Sequence, residues 1–231
     1  MPANIDVQEL QNRVASSVDQ SATAPTAGGD TWNLRLRYLN RSQNNWADTY
    51  NFRELYKEFN TQTSTSTGNT SISMPTDFHK LASYPKITGD GVNTYNYPDI
   101  RPEEKGRYGA SDRYFYLMGN PADGYVLVLH AGTSAGQLAS GASIQVPYYA
   151  SPASLASPAD KSMCPNPEYL VKQSVAYLWE AGEDPRFPQA KVEAEKELLK
   201  IVEQENTHND ASEHSRIRSD LELKYNFRPG K

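Results

Sequence analysis

Residues 165–206, PNPEYLVKQSVAYLWEAGEDPRFPQAKVEAEKELLKIVEQEN, constrain this chain more than any other stretch, because they spell two amphipathic helices joined by a short acidic turn. In the first helix Leu170, Val171, Ser174, Val175, Leu178 and Ala181 recur at the spacing of one helical face, and Tyr177 adds a second apolar edge. Gly182 stops it, and Asp184-Pro185 and Phe187-Pro188 mark the bend. The second helix carries the stripe Phe187, Ala190, Ala194, Leu198 and Ile201. Its other side, Lys191, Glu193, Glu195, Lys196, Glu197, Lys200 and Glu203, is laced with opposite charges three and four apart and is expected to be solvated. A helical hairpin cannot bury such stripes alone, so other helices of the chain must face it.

The N-terminal residues supply them. Residues 5–18 read as a short amphipathic helix with Val7, Leu10, Val14 and Val18 on one side. The small, polar stretch 20–29, with Pro25 and a Gly pair, reads as a loop. Asp30 or Thr31 is placed to cap a second helix, whose stripe is Trp32, Leu36, Leu39, Gln43 and Trp46, followed by Tyr50, Phe52, Tyr56 and Phe59. Val7, Leu10, Val14, Trp32, Leu36, Leu39, Trp46, Leu170, Val171, Val175, Leu178, Ala194, Leu198 and Ile201 are the expected bundle core.

After Phe59 the pattern changes to strands. Residues 60–74 are rich in Thr and Ser, contain Gly68-Asn69 and read as a β-hairpin; residues 76–110 read as irregular. Residues 113–118 and 125–130 around the turn 119–124 form a clearer hairpin. A further strand covers 143–150, which Pro147 assigns to an edge or a bulge. The expected fold class is α+β: a helical bundle built from N-terminal (1–59) and C-terminal (161–206) helices, an inserted antiparallel β domain (60–160) and an extended C-terminal arm (207–231). The arm carries five positive and four negative residues, with Ile217, Leu221, Leu223, Tyr225 and Phe227 among Arg216, Arg218, Lys224 and Arg228. Terminal segments commonly fray, but disordered tails rarely keep aromatic and aliphatic residues to the end. An arm that orders on a partner, by strand addition or as a docked helix, accounts for them.

Composition narrows the function classes. A net charge of −5 and a hydrophobic fraction of 37% describe a polar, mildly acidic surface, which argues against a protein that grips nucleic acid through a basic face. The single cysteine, Cys164, rules out an internal disulfide framework and a multi-cysteine metal site. No apolar run approaches the roughly 20 residues that span a bilayer, and residues 1–10 lack a signal pattern, so a soluble chain made in the cytoplasm is expected. Fifteen Tyr and fifteen Pro favour extended segments and wet contact surfaces.

The motifs that suggest chemistry do not assemble a site. Residues 132–136, GTSAG, match the nucleophile-elbow pattern around Ser134, but the elbow must lead into a helix, and another glycine and a strand follow instead. Asp210 and His214 have the right order for its partners, yet lie beyond the long helix. His79, His130, His208 and His214 are scattered, and the last two are six apart, which does not put both on one helical face. Gly89-Asp90-Gly91 lacks the flanking strand and helix of a phosphate-binding loop. Neither an enzyme, a cofactor nor a metal is expected.

The order of landmarks does carry a resemblance. Two amphipathic helices end in the aromatic cluster Trp46, Tyr50, Phe52; Thr/Ser-rich strands lead into Ile72-Ser-Met-Pro-Thr-Asp-Phe78; the segment 144–155 is IQVPYYASPASL; and Pro165-Asn-Pro-Glu-Tyr-Leu170 opens a helix ending Trp179-Glu-Ala-Gly-Glu-Asp184. From about residue 5 to 206 this resembles the head-to-tail adaptor proteins of tailed bacteriophages. The resemblance implies a virion structural protein, made in the host cytoplasm, whose copies, commonly twelve, form a ring between the portal protein and a downstream tail or nozzle protein. Such a ring leaves a channel through which DNA passes during packaging, retention and ejection without specific binding, and it involves no membrane. It also gives the C-terminal arm a role at the portal, with Ile217, Leu221, Leu223, Tyr225 and Phe227 as anchors and Arg216, Arg218 and Arg228 as the polar rim. Two alternatives stand beside it: another virion binding or decoration protein using the Tyr-rich β domain, and, more remotely, a small serine hydrolase built on Ser134.

Overall fold

The computed structural model describes residues 5–62, 69–88, 94–109, 111–130 and 142–224, without the side chains of 69, 94–96 and 208–224. Helices and antiparallel sheets make the fold α+β. The chain divides into two compact units, Met1–Arg53 with Ala153–Lys231, and Glu54–Pro152.

The first unit is helical. Its elements are α1 (Val7–Val18), α2 (Asp30–Thr49), α3 (Pro167–Ala181) and α4 (Phe187–Lys224), and α3 packs against each of the other three. Asp6 caps α1, its carboxylate accepting from the Glu9 N–H at 2.9 Å, and Asn166 caps α3 in the same way, with Pro167 pre-set for the first turn. At α2 the capping position belongs to Gly29, and Asp30 lies inside the first turn, where its charge meets the positive end of the helix dipole. Val7, Leu10, Val14, Trp32, Leu39, Trp46, Leu170, Val171, Val175, Ala194 and Ile201 are buried. Leu36, Leu178 and Leu198 are half-buried. Trp46 stacks on Phe52 at 4.8 Å between ring centres. Trp32 and Trp46 are nearly wholly covered, and side chains of that size contribute about 4–6 kcal/mol each of transfer free energy, before the entropy of ordering them.

Polar side chains of α2 fasten the return of the chain to this unit. Asn40 accepts from the Leu155 N–H at 2.7 Å and donates to the Leu155 carbonyl at 2.8 Å. The fully buried Gln43 donates to the Ala153 carbonyl at 2.8 Å and accepts from the Ser162 hydroxyl at 2.6 Å and the Met163 N–H at 3.1 Å. A buried amide with donor and acceptor both satisfied holds the segment in one register.

The second unit contains two antiparallel sheets. In one, β8 (Ser143–Ala150) runs between β1 (Tyr56–Gln62) on one side and β3 (Phe78–Leu81) and β4 (Lys86–Thr88) on the other, and β5 (Thr94–Asn96) pairs with β4. In the other, β7 (Gly124–His130) lies between β2 (Asn69–Ser73) and β6 (Tyr114–Asn120). The hairpin of β6 and β7 is as the sequence indicates, closed through Gly119 and Gly124, both at positive φ. Residues 60–74 do not form a hairpin: β1 pairs with β8, β2 pairs with β7, and the two lie in different sheets. Residues 76–110 hold β3, β4, β5 and the 3-10 turn Pro102–Arg107.

Of the edge or bulge expected for Pro147, the edge is not found: its strand is paired on both sides, and the register shift of the β3–β8 pair, between Phe78 and Lys80, lies opposite Tyr149 and Ala150. The Pro147 carbonyl accepts from the Ala82 N–H at 3.0 Å, so its backbone polar groups point to the side where β3 ends and β4 has not begun. No ladder donor is missed there, which is why the sheet tolerates the ring. Ile72, Phe78, Ile87, Phe115, Leu127, Leu129, Ile144, Val146 and Tyr148 are among the side chains filling the unit's core.

Candidate functional site

The longest element is α4, and its anchorage sets what the chain can present. Thirty-eight residues rise about 57 Å, whereas the 15 residues of α3 rise about 22 Å. The helix therefore outruns the partner it packs on, and it does not stop near Asn206 but continues through Lys224.

Polar contacts at Glu197, Glu205 and Asn206 tie the helix to the rest of its unit. Glu197, on the side of α4 expected to be solvated, has a side chain only 12% exposed. It accepts from Lys172 of α3 at 2.8 Å, Lys200 at 3.0 Å and Asn166 at 3.3 Å. The bond from Lys172, followed by those from Lys200 and Asn166, outweighs burial and holds its pKa down to about 2. Further along, the buried Glu205 accepts from the Arg53 N–H at 3.3 Å, and the Arg53 guanidinium lies 3.7 Å away. Beside it the Tyr50 hydroxyl donates to Asn206 at 2.6 Å. At the other end of α4 Arg186 forks onto Asp184, holding that carboxyl down to about 2, and its guanidinium covers the Trp179 ring at 4.4 Å. Sequence periodicity put Glu197 among several similar charged residues and did not single out Glu205; the arrival of Lys172 and Arg53 distinguishes them.

The outward faces of the helices are mixed. Val192 and Leu199 on α4, seven residues apart and so on one face, are 49% and 58% exposed, and Leu34 on α2 is 40% exposed. A groove of about 420 Å³ runs between α2 and α4 over α3, with Tyr177 in it and Arg41 stacked on that ring at 4.0 Å.

The proposed arm residues divide. Arg216, Ile217, Arg218, Leu221 and Leu223 lie on the helical backbone of α4, which favours a docked helix over strand addition for this part. Ile217 and Leu221 share a face, and Leu223 lies off it. Tyr225, Phe227 and Arg228 lie outside the described residues, as does Ser134 with its glycine loop. His130 has its Nδ1 2.8 Å from the Asp112 carbonyl and stacks on Tyr114 at 4.6 Å, a structural arrangement. Among the described residues no three His, Cys, Asp or Glu side chains group as metal ligands, and no helix is long and apolar enough to cross a membrane.

The chain thus carries a long helix tied through Glu197 and Glu205 and, in its other unit, two antiparallel sheets. The kind of protein is given by comparison: residues 5–218 match the family described as the SU10 adaptor protein. The match spans most of the chain, which therefore belongs to that family of phage adaptors, structural proteins of the virion and not an enzyme class. A comparison with curated proteins finds no match.

Proposed function

We propose that the protein is a head-to-tail adaptor whose copies, twelve in number, form a ring between the portal protein and the next tail or nozzle protein, around a channel for DNA. The observation that carries this reading is α4, a helix that outlasts its partner inside an adaptor-family chain and so has a terminal half available to another protein. Arg216, Ile217, Arg218, Leu221 and Leu223, continued by Tyr225, Phe227 and Arg228, are the portal-contacting arm, with the apolar members as anchors. A net charge of −5 suits a channel that passes DNA without holding it, since like charge discourages the phosphate contacts that would arrest it. The bundle-core residues, Trp32 and Trp46 foremost, hold together the helical unit from which α4 extends.

Electron microscopy of the purified chain with and without its portal tests the ring; twelvefold rings with an open axis are expected on the portal. Deletion of 209–231 is expected to leave the melting transition of the remaining chain in place and to abolish capture by portal in a pull-down. Undiminished capture refutes the role of the arm.

A further inference from the structure

In the β unit, β1 of one sheet and β2 of the other have outer edges with no partner strand among the described residues, as do the short β3 and β5, while β6 is bridged on its outer side only at Phe115. The direction of the β1 and β2 backbone groups follows from two hydrogen bonds. Pro147 directs its carbonyl to Ala82, away from β1, and Glu58 is its opposite number in β1. In an antiparallel pair, facing residues either both point inward or both point outward, so Glu58 directs its N–H and C=O away from β8, as Tyr56, Asn60 and Gln62 do by alternation. In β2, the Met74 N–H donates to the Tyr125 carbonyl at 2.8 Å, which leaves Asn69, Ser71 and Ser73 pointing away from β7. Each edge thus offers donors and acceptors at every second residue, over seven positions in β1 and five in β2.

Open edges are normally guarded by charge, proline or a bulge. The β2 edge, NTSIS, has no charged residue and no proline. The charges of β1 are committed within the unit: Lys57 pairs with Asp77 at 2.6 Å, and Glu58 accepts from Gln145 at 2.7 Å and from the Tyr56 hydroxyl at 2.9 Å. Most of β1 is exposed, and Phe59 is its principal apolar attachment to the core.

We infer that these edges are the ends of an intersubunit sheet: β2 of one copy adds to the open edge of β1 in the next copy. The two edges belong to different strands of one unit, so the contact is heterologous, the kind that repeats from copy to copy and closes by rotation. Backbone bonds supply the attraction, β2 brings no charge of its own to the contact, and the charges of β1, Lys57 and Glu58, already have partners within the unit. The inference rests on the ring reading above and assigns the surface through which the ring closes.

The test uses the full chain assembled on its portal. Asn60 and Ser71 are exposed, and Cys164 is buried and does not compete. Chains carrying both Asn60→Cys and Ser71→Cys, with Gln62 or Ser73 replacing either position to scan register, are oxidised and run on non-reducing gels. A ladder of covalent multimers for one register is expected. Separately, Asn60→Pro removes an edge-facing N–H but none that serves β8; ring yield is expected to fall by roughly tenfold for each intersubunit backbone bond removed, while the melting curve stays close to that of the parent. Ser71→Lys, which puts a guard charge on the edge, is expected to do the same. Twelvefold rings with no cross-link in any register, and unaffected by both variants, overturn the edge pairing and leave the ring reading standing. A parent chain that stays monomeric on its portal overturns both.

Discussion

Replacing Glu197 by Gln removes the charge that ties α4 to α3 and keeps the side chain's shape. The carboxyl is held at about 2 against an ordinary value of 4.5, chiefly by Lys172. Taken at face value such a shift is worth about 3 kcal/mol of folded-state preference for the ionised form. Lys172 and Lys200 are 34% and 60% exposed, so solvent screens both, and about 1–2 kcal/mol is the better expectation. The sign follows from the depressed value. The stabilisation is fully present above the unfolded-state pKa near 4.5 and is lost as pH falls towards 2. Parent and Glu197→Gln chains should therefore differ at pH 7, by about 1–2 kcal/mol in urea unfolding or a Tm difference of roughly 2–8 °C, and should converge as pH drops from 4.5 to 2. All three tryptophans, Trp32, Trp46 and Trp179, belong to the helical unit, so their fluorescence reports its unfolding. Equal stability at pH 7, or a difference that does not change with pH, refutes the account of Glu197 as an ionised tie.

Trp46→Ala removes a wholly buried ring stacked on Phe52 and is expected to cost about 3–5 kcal/mol, measurable as an early unfolding midpoint in urea. Gln43→Leu keeps much of the volume but strands the Ser162 hydroxyl, the Met163 N–H and the Ala153 carbonyl; a loss of about 2–4 kcal/mol is expected, with faster amide exchange at Met163. Gly119→Ala is expected to cost about 2–3 kcal/mol or more, because φ is +107° and the new Cβ would lie 2.1 Å from the Gly124 carbonyl oxygen; calorimetry of the purified variant reads it.

Much of the helical unit is legible from local pattern. The phases of Leu10 and Val14, of Trp32, Leu39 and Trp46, and of Leu170, Val171 and Val175 repeat at helical spacing, and all of these side chains are buried. Leu36, Leu178 and Leu198 share those phases yet stay half-buried, since periodicity gives direction and the neighbour decides depth. The β6–β7 hairpin is equally readable because its partners are adjacent in sequence. β1 and β2 are not, because each could pair with a near strand or a far one: Tyr56 finds Tyr149, and Ile72 finds Leu127. The Gly68-Asn69 turn signal favours the local answer, and long-range pairing with β8 and β7, which carry the larger apolar core, prevails.

The amino-acid order alone thus determined the helical hairpin, the return of the chain to a common helical unit, and the landmarks that placed it among adaptors, since each depends on residues near one another. Tertiary structure decided the rest. Pro147 could occupy a doubly paired strand only because its carbonyl faces a gap between two neighbours. Glu197 and Glu205 became ties, among a row of solvated glutamates, because Lys172 and Arg53 come to them from other elements. An electrostatic contact of that kind depends on distances that no linear pattern states, and folding alone sets them.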